Sequence, residues 1–385
     1  VANHDINILI SGNITSKSRI LYKRNILDMA RTLTPFLLID DDPYLVISKG
    51  RLVWMIDAYT VSDRYPYSTP VEFGDDRINY IRNSVKITID AYNGDMHYYL
   101  ADPADPIAGL YSKIFPGLFS GLNSMPEDLR EHVRYPGTLF DIQAAMLRTF
   151  HMKDPNVLYN NEDAWEIARQ VYDKSESLMS SYYLITTLPG KKQSDFNLIL
   201  PFTPLKKNNM IAFMSAGCDA ERYGELNLYL LPKDKLSYGP LQIEARINQD
   251  PELSKLLTLW GQKGSSVIRG NMMAIPIEES LLFIEPLYLK SETSEMPELK
   301  LVIAAAGDHL CGDSTLDGAL EKLFEKMPFS ADIVSEIGKN EIRALSEKAY
   351  RHFLNAENHM REGNWSAYGD ELRRLKETLI QMKQQ

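Results

Sequence analysis

Residues 44–56 read YLVISKGRLVWMI, and this stretch predicts the structural class of the chain. Its two apolar runs, 44–47 and 52–56, each have the length of a strand. The polar segment between them contains Lys49-Gly50, and a short Gly-containing loop between apolar runs is typical of a β-hairpin. We therefore predict antiparallel strands in the N-terminal third.

A second hairpin is predicted at residues 85–100. Residues 85–90 alternate between apolar and polar side chains, Asn93-Gly94 is a strong turn signal, and residues 96–100 form the returning strand. The two hairpins share a short echo, IDAYT at 56–60 and IDAYN at 89–93, which indicates a weak internal repeat. Two copies are too few to form a solenoid.

Helices are predicted where apolar residues recur three and four positions apart. The first has the apolar face Leu139, Ile142, Met146 and Phe150. Thr138 with Asp141 predicts a capping box at its start. Residues 162–171 have helical spacing as well, and Asp250-Pro251 predicts the start of a helix that ends at Gly261.

Further strands are predicted from apolar runs bounded by turn residues, at 196–201, 210–216, 225–231, 266–275, 280–289 and 299–306. The last fifty residues keep helical spacing on both sides of Gly363, which predicts an antiparallel helical hairpin. We therefore predict an α+β fold in three parts. These are an N-terminal α+β unit with two β-hairpins at 1–175, a second α+β unit at 176–330 and the C-terminal helical hairpin at 331–385.

The composition excludes some classes of function. The chain has 385 residues and a formal net charge of -10, and this acidity argues against a nucleic-acid binder, which needs a basic surface for phosphates. No apolar run reaches the roughly 18 residues of a membrane-spanning helix. The two cysteines, Cys218 and Cys311, leave open one bridge between them or two partly buried thiols, and we favour the thiols.

Eight stretches together resemble one family: DDPY at 41–44, WMIDAYT at 54–60, YPYS at 65–68, NYIRNSVK at 79–86, HVRYP at 132–136, PFTP at 201–204, YGPLQIEAR at 238–246 and GNWSAYG at 363–369. They are similar to uncharacterised protein family 0182, and the resemblance covers essentially the whole chain. The family consists of prokaryotic multi-pass membrane proteins with no agreed activity.

The resemblance implies a place in the cell. Family members have N-terminal membrane helices followed by a large region thought to lie outside the cytoplasm, so this chain is expected to be that extracytoplasmic region, held at the cell membrane. Its first expected partner is its own membrane-helix region. An envelope protein, peptide or glycan is a further expected partner, and no nucleic acid is expected.

Catalytic candidates are few. His132, His151, Asp57 and Asp90 are the residues that could perform acid–base chemistry, because an imidazole titrates near neutrality and a carboxylate can orient it. No nucleophile elbow and no His-Glu-x-x-His sequence accompanies them. The alternative interpretation, which we favour, is that His132 and Arg134 anchor a loop by hydrogen bonds.

Metal binding is considered at two acidic stretches, Asp40-Asp41-Asp42 and Asp102 with Asp105. Carboxylate oxygens suit Ca²⁺, but three consecutive side chains cannot all face one ion. The Asp-Pro steps at 42–43, 102–103 and 105–106 indicate turns. We favour turns and expect no cofactor, with Ca²⁺ as the alternative.

Tyrosine is abundant in the N-terminal third, and an aromatic ring with a polar tip suits a binding surface. The candidates for binding are Tyr59, Tyr65, Tyr67, Tyr98 and Tyr99. The same residues would also suit pairs across strands. Overall we expect a non-enzymatic extracytoplasmic domain that binds a partner. The alternatives are a hydrolase that uses the His and Asp residues, and a sensor or transport-accessory domain that binds a ligand or metal ion.

Overall fold

The computed structural model describes residues 10, 15–18, 23–74, 76–232, 237–261, 264–277, 280–291, 296–326, 348, 351–356, 358–359, 361 and 365–383. Its longer helices and its strands confirm the predicted α+β class. The helices are α1 Ile26–Leu33, α2 Pro106–Ile114, α3 Glu127–Arg130, α4 Gly137–Phe150, α5 Pro155–Asn160, α6 Pro240–Gln249, α7 Pro251–Trp260, α8 Leu316–Lys326 and α9 Trp365–Lys383.

The described strands fall mainly in the first 313 residues. They are β1 Leu38–Ile39, β2 Tyr44–Ser48, β3 Arg51–Ser62, β4 Val71–Phe73, β5 Asp76–Ile78, β6 Tyr80–Asp90, β7 Met96–Leu100, β8 Phe119–Gly121, β9 Trp165–Ile167, β10 Arg169–Tyr172, β11 Ser175–Leu178, β12 Tyr182–Thr186, β13 Asp195–Pro204, β14 Ala212–Gly217, β15 Leu226–Leu230, β16 Ser265–Arg269, β17 Met273–Ile277, β18 Ser280–Ser291, β19 Glu298–Ala306 and β20 His309–Asp313.

The chain divides into two compact units, residues 1–300 and residues 301–385. The boundaries that the sequence predicts near 175 and 330 stay predictions. Within the described residues, no helix is both long enough and apolar enough to cross a membrane.

The first sheet of the larger unit confirms both predicted hairpins. Its order is β1-β3-β6-β7-β8, and β2 also pairs with β3. The β2–β3 turn pairs Ser48 with Arg51, and both central residues, Lys49 and Gly50, have positive φ (48° and 77°). Positive φ at both turn positions is the geometry of a type I′ turn, whose twist matches that of the flanking strands.

The second sheet corrects one sequence prediction. Its order is β12-β13-β14-β15, and β9 pairs with β13. Residues 162–171, which the spacing predicts to be helical, instead supply β9 and most of β10. The apolar Trp165 and Ala168 are buried against the sheet. Because β9 and β10 are short and separated only by Ala168, their buried apolar residues recur at intervals similar to those of a helix.

The helix α4 packs beside both sheets. It begins at Gly137 after the N-cap residue Pro136, which makes no side-chain cap, so the predicted capping box at Thr138 is wrong. Tertiary packing holds this end instead, since Leu139, Phe140 and Ala144 are buried in a core shared with Tyr59 and β13. The predicted helix is therefore correct in place, but its start and its principal buried face are different.

A third group of elements joins α6 and α7 to β16, β17 and β18. The Asp250 carboxylate accepts hydrogen bonds from the backbone N–H groups of Glu252 and Leu253, so the predicted cap of α7 is confirmed. The predicted strand 266–275 breaks at Gly270, whose N–H donates to the Pro286 carbonyl at 2.9 Å. A Cβ there would lie 2.8 Å from the Pro286 ring, so only glycine fits this close approach.

The smaller unit contains a hairpin of β19 and β20 followed by α8. In its C-terminal part, the His352 Nδ1 lies 2.7 Å from the Glu371 carboxylate of α9. Contact between residues 19 positions apart agrees with the predicted helical hairpin. Residues 362–364 of its connection and about half of its first helix, which the sequence predicts from 342, lie outside the described residues.

Candidate functional site

A buried ion pair occupies the centre of the first sheet. Lys86 on β6 is paired in register with Asp57 on β3, and its Nζ donates to the Asp57 carboxylate. Their side chains are 2% and 5% exposed. Burial is the largest single influence on the pKa of Lys86 and lowers it, but the Asp57 carboxylate together with Tyr223 and Tyr44 outweighs burial, so the pKa of Lys86 is raised. The Asn83 amide completes the site by donating to the Asp57 Oδ1 at 3.0 Å.

Arg134 closes one side of this polar centre. Its backbone carbonyl accepts from the Lys86 Nζ at 3.4 Å, and its guanidinium donates to Asp42 at 2.7 Å. The guanidinium lies 4.1 Å from the ring centroid of Tyr44 and 4.6 Å from that of Tyr183. An arginine held between two rings and a carboxylate is fixed in place, so Arg134 joins the loop before α4 to both sheets.

The three consecutive aspartates, Asp40, Asp41 and Asp42, each interact with a different side chain. Asp40 is buried and accepts from the Tyr59 hydroxyl, and it also accepts from the Asp42 backbone N–H at 2.9 Å. Asp41 is exposed and pairs with Arg31. Asp42 pairs with Arg134. Within the residues that the structure describes, no group of three or more metal-ligating side chains is present. The carboxylates are arranged as a turn and two ion pairs.

The carboxylates of the second acidic stretch, Asp102 and Asp105, are also bound within the fold. Asp102 pairs with Arg82 at 2.9 Å, and Asp105 is the N-cap of α2. The Asp105 carboxylate is buried and accepts from three side-chain hydroxyls, those of Thr60, Ser84 and Tyr80. Burial alone would raise the pKa of Asp105, but these hydrogen bonds outweigh it and the pKa is lowered.

The two candidate histidines lie at opposite ends of α4. His132 is exposed and precedes the helix, whereas His151 is its C-cap residue and stacks on Trp165 with ring centroids 3.7 Å apart. A helix of 14 residues is about 21 Å long. The structure therefore does not bring these imidazoles together.

The two candidate carboxylates are separated as well. Asp90 pairs across the sheet with Val53, four residues from Asp57, which corresponds to about 13 Å along a strand. Arg51 donates to Asp90 and, with backbone hydrogen bonds, keeps the pKa of Asp90 below its usual value. The echoed IDAY sequences are not equivalent, since the first is inside a strand and the second enters a turn. No shared site joins the four catalytic candidates.

The predicted tyrosine binding surface is wrong for three of its five residues. Tyr59, Tyr98 and Tyr99 are 0%, 4% and 6% exposed, so they belong to the core and cannot contact a partner. Alternating strand residues point to opposite faces, but both faces of this sheet are covered. Tyr65 and Tyr67 are exposed, and their role in binding stays a prediction.

An open groove lies between α4 and the segment 68–81. Its volume is about 420 Å³. The helix contributes Leu139, Ile142, Gln143, Met146, Leu147 and Phe150. The opposite wall consists of Ser68, Thr69, Val71, Ile78, Asn79, Tyr80 and Ile81. None of these described lining residues is charged, although 24% of the whole chain is. The groove is suited to an uncharged, mainly apolar segment.

In the wall opposite α4, the Asn79 side chain is bound to the backbone of Tyr65. The Asn79 amide donates to the Tyr65 carbonyl at 2.8 Å, and its oxygen accepts from the Tyr65 N–H at 2.9 Å. The Tyr65 ring stacks on Tyr80, with centroids 5.6 Å apart. Tyr67, next to the wall residue Ser68, has a positive φ of 60°. These contacts form the rim of the groove before any partner binds.

The sequence contained a signal for this groove. The predicted apolar face of α4 is Leu139, Ile142, Met146 and Phe150, and all four line the groove. In the structure Leu139 is buried, Ile142 and Met146 are half-buried and Phe150 is exposed, so the face is uncovered toward its C-terminal end. Phe150 is 56% exposed. Spacing showed that the face was apolar, but it could not show that other residues of the helix, such as Phe140 and Ala144, would enter the core.

Comparison with known proteins gives a family and no activity. Residues 1–260 match the family described as Uncharacterised protein family (UPF0182). A UPF0182 protein of Pelotomaculum thermopropionicum is 46% identical over 98% of this chain and 42% of its own length. One of Pelobacter propionicus is 49% identical over 97% of this chain and 41% of its own. The chain thus spans less than half of the relatives it matches. No solved structure matches it.

Proposed function

Because this chain belongs to the uncharacterised protein family UPF0182, we propose that it is a non-enzymatic, extracytoplasmic interaction domain of a membrane protein. It holds an apolar segment of its own polypeptide, from the part outside these 385 residues, in the groove beside α4. The observation that carries this proposal is the open apolar face of α4, with Phe150 56% exposed at its end.

The length of the relatives supports this occupant. The chain corresponds to 42% of the Pelotomaculum relative, so more than half of such a polypeptide is available to cover the groove. The described lining residues of the groove are uncharged, which favours an apolar partner over an acidic or basic one. A segment of the same polypeptide also binds without the full entropic cost of association, since tethering gives a high effective concentration.

The charged residues support a binding role over catalysis. Asp57, Asp90, Asp105 and Arg134 are each engaged in internal hydrogen bonds or ion pairs. Among these contacts, those of Arg134 hold the loop before α4, and those of Asp105 hold Tyr80 in the opposite wall of the groove. They leave these groups poorly placed to transfer protons to a substrate.

The test is to express the complete polypeptide in two parts, these 385 residues and the remainder in detergent. The two parts should associate. Phe150→Asp should weaken association at least tenfold, because burying a phenylalanine contributes about 1.5–3 kcal/mol and about 1.4 kcal/mol corresponds to tenfold. Ile185→Asp is the matched control, as Ile185 is 70% exposed on β12 and does not line the groove.

Two results would overturn the proposal. One is association of Phe150→Asp at the strength of the unaltered chain, which would place the contact elsewhere. The other is an equal loss in Phe150→Asp and Ile185→Asp, which would indicate nonspecific adhesion. Circular dichroism of both variants verifies that they are folded.

A further inference from the structure

Two glutamates share one arginine in the interior of the larger unit. Glu244 lies on α6, Arg269 on β16 and Glu285 on β18, and their side chains are 2%, 10% and 1% exposed. Arg269 contacts the Glu244 carboxylate, and its NH1 lies 3.4 Å from the Glu285 Oε1. Its NH2 donates to the Asn248 amide oxygen at 2.6 Å.

The charges in this cluster do not balance. Two ionised carboxylates facing one guanidinium leave one buried negative charge, and an uncompensated buried charge is costly. The Glu244 Oε2 contacts Arg269, whereas the Glu244 Oε1 and the Glu285 Oε2 are buried without a hydrogen-bond partner within the described part of the chain. Among the described residues, the two carboxyl groups therefore share one cation.

The surrounding elements offer little further charge. Strand β17 has no titratable residue, and the Arg246 guanidinium on α6 lies 4.8 Å from the Tyr238 ring centroid. On β10, Arg169 pairs with Glu176. Asp173, whose backbone N–H donates to the Arg269 carbonyl, is exposed. The other titratable residues of the packed elements are Tyr172 on β10, Glu252 and Lys255 on α7, Tyr288 and Lys290 on β18, and Glu298 and Lys300 on β19, the neighbour of β18. Of these, Tyr288 and Lys300 are half-buried and the others are exposed, and Lys300 pairs with Glu298.

We propose that Glu244, Arg269 and Glu285 form a proton-binding site, in which the two carboxyl groups together hold a single proton and so couple the stability of the fold to pH. The ligand is a proton because Arg269 already occupies the space between the carboxylates and would repel a metal ion. The proton converts one carboxylate into a neutral donor and removes the excess charge.

The pH range follows from the direction of the shift. Burial raises the pKa of Glu285 to about 7, although the Arg269 guanidinium lowers it. An unfolded glutamate has a pKa of about 4.3. The folded state therefore holds a proton that the unfolded state has lost. The resulting stability is fully present below about pH 4.3 and is lost as the pH rises through the folded pKa near 7.

The test compares urea unfolding of the unaltered chain and Glu285→Gln between pH 5 and 8. Glutamine resembles the protonated carboxyl, so the variant should lose the dependence due to this site. Relative to the variant, the folded-to-unfolded ratio of the unaltered chain should fall about tenfold per pH unit until the pH approaches 7, as expected for one linked proton. Glu252→Gln on the exposed side of α7 should behave like the unaltered chain.

Infrared difference spectroscopy gives a second readout that does not depend on the variant's stability. A protonated carboxyl band should be present at pH 5.5, disappear with a midpoint near 7, and be absent in Glu285→Gln or weakened in Glu244→Gln. Parallel pH dependences of the unaltered chain and Glu285→Gln, or no carboxyl band at pH 5.5, would overturn the proposal.

Discussion

Lys86 and Asp57 face each other on adjacent strands in the middle of the first sheet, and both side chains are almost completely buried. The pair is surrounded by Tyr44, Arg134 and Tyr223, which come from three separate parts of the chain. Through the Arg134 carbonyl, the pair therefore also holds the loop before α4 against the first sheet.

Removing one partner of this pair should be severe. Lys86→Met leaves the Asp57 carboxylate buried without its cation, and we expect a loss of about 3–5 kcal/mol in the free energy of unfolding. The double variant Lys86→Met with Asp57→Asn should lose less, because no uncompensated charge remains. Chemical denaturation measures both. Equal losses in the single and double variants would show that packing, not charge, dominates.

A matched surface pair provides the control for that comparison. Arg77 and Glu72 lie 3.9 Å apart, with side chains 69% and 79% exposed. Arg77→Met should hardly change the unfolding midpoint, since exposed ion pairs contribute little. A large loss in Arg77→Met would mean that the assay does not separate buried from exposed charges.

Asp105 should contribute stability that depends on pH. Asp105→Ala removes the α2 cap and three hydroxyl donors lose their acceptor, so we expect a loss of about 1–3 kcal/mol at pH 7. Its pKa is lowered in the folded state, so its contribution is present above the unfolded pKa of about 3.9 and is lost as the pH falls through the folded pKa. Asp105→Asn should have a weaker dependence below pH 4 than the unaltered chain. Identical acid unfolding curves would contradict this role.

Cysteine labelling can test on which side of the membrane the domain lies, because the two native cysteines should react little with a thiol reagent. Cys218 and Cys311 are both unpaired and buried, and burial raises the pKa of Cys218 to about 11. The unaltered chain should therefore resist a membrane-impermeant maleimide. Ile185→Cys, at a position 70% exposed, should be labelled on intact cells if the domain is extracytoplasmic. Labelling only after lysis would place it in the cytoplasm.

Local signals in the sequence predicted much of this fold. Lys49-Gly50 and Asn93-Gly94 determine tight turns through backbone preferences of single residues, and Asp250-Pro251 starts α7 by capping and a fixed φ. The prediction of a helix at residues 162–171 was wrong because the spacing of Trp165 and Ala168 fits a helix and a pair of short strands equally well. Pairing with β13 selects the strands. Tertiary pairing is not visible in a short window of sequence.

The sites were harder to predict than the elements. Asp57 and Lys86 are 29 positions apart, and nothing local distinguishes a carboxylate that is paired in the core from an exposed one. Tyr59 and Tyr65 belong to the same predicted cluster, yet one is buried and the other is exposed. The sequence does not single out Glu244 and Glu285, because each is a lone glutamate until the fold places Arg269 between them.

The central claim is that the groove beside α4 is covered by another part of the same polypeptide. The most direct measurement places a photo-reactive phenylalanine analogue at Met146, inside the groove, or at Ile185, outside it, in the complete polypeptide expressed in cells. After irradiation, we expect Met146 to cross-link within the polypeptide to an apolar segment outside these 385 residues, and Ile185 to give no such product. No product at Met146, or the same product from both positions, would contradict the account.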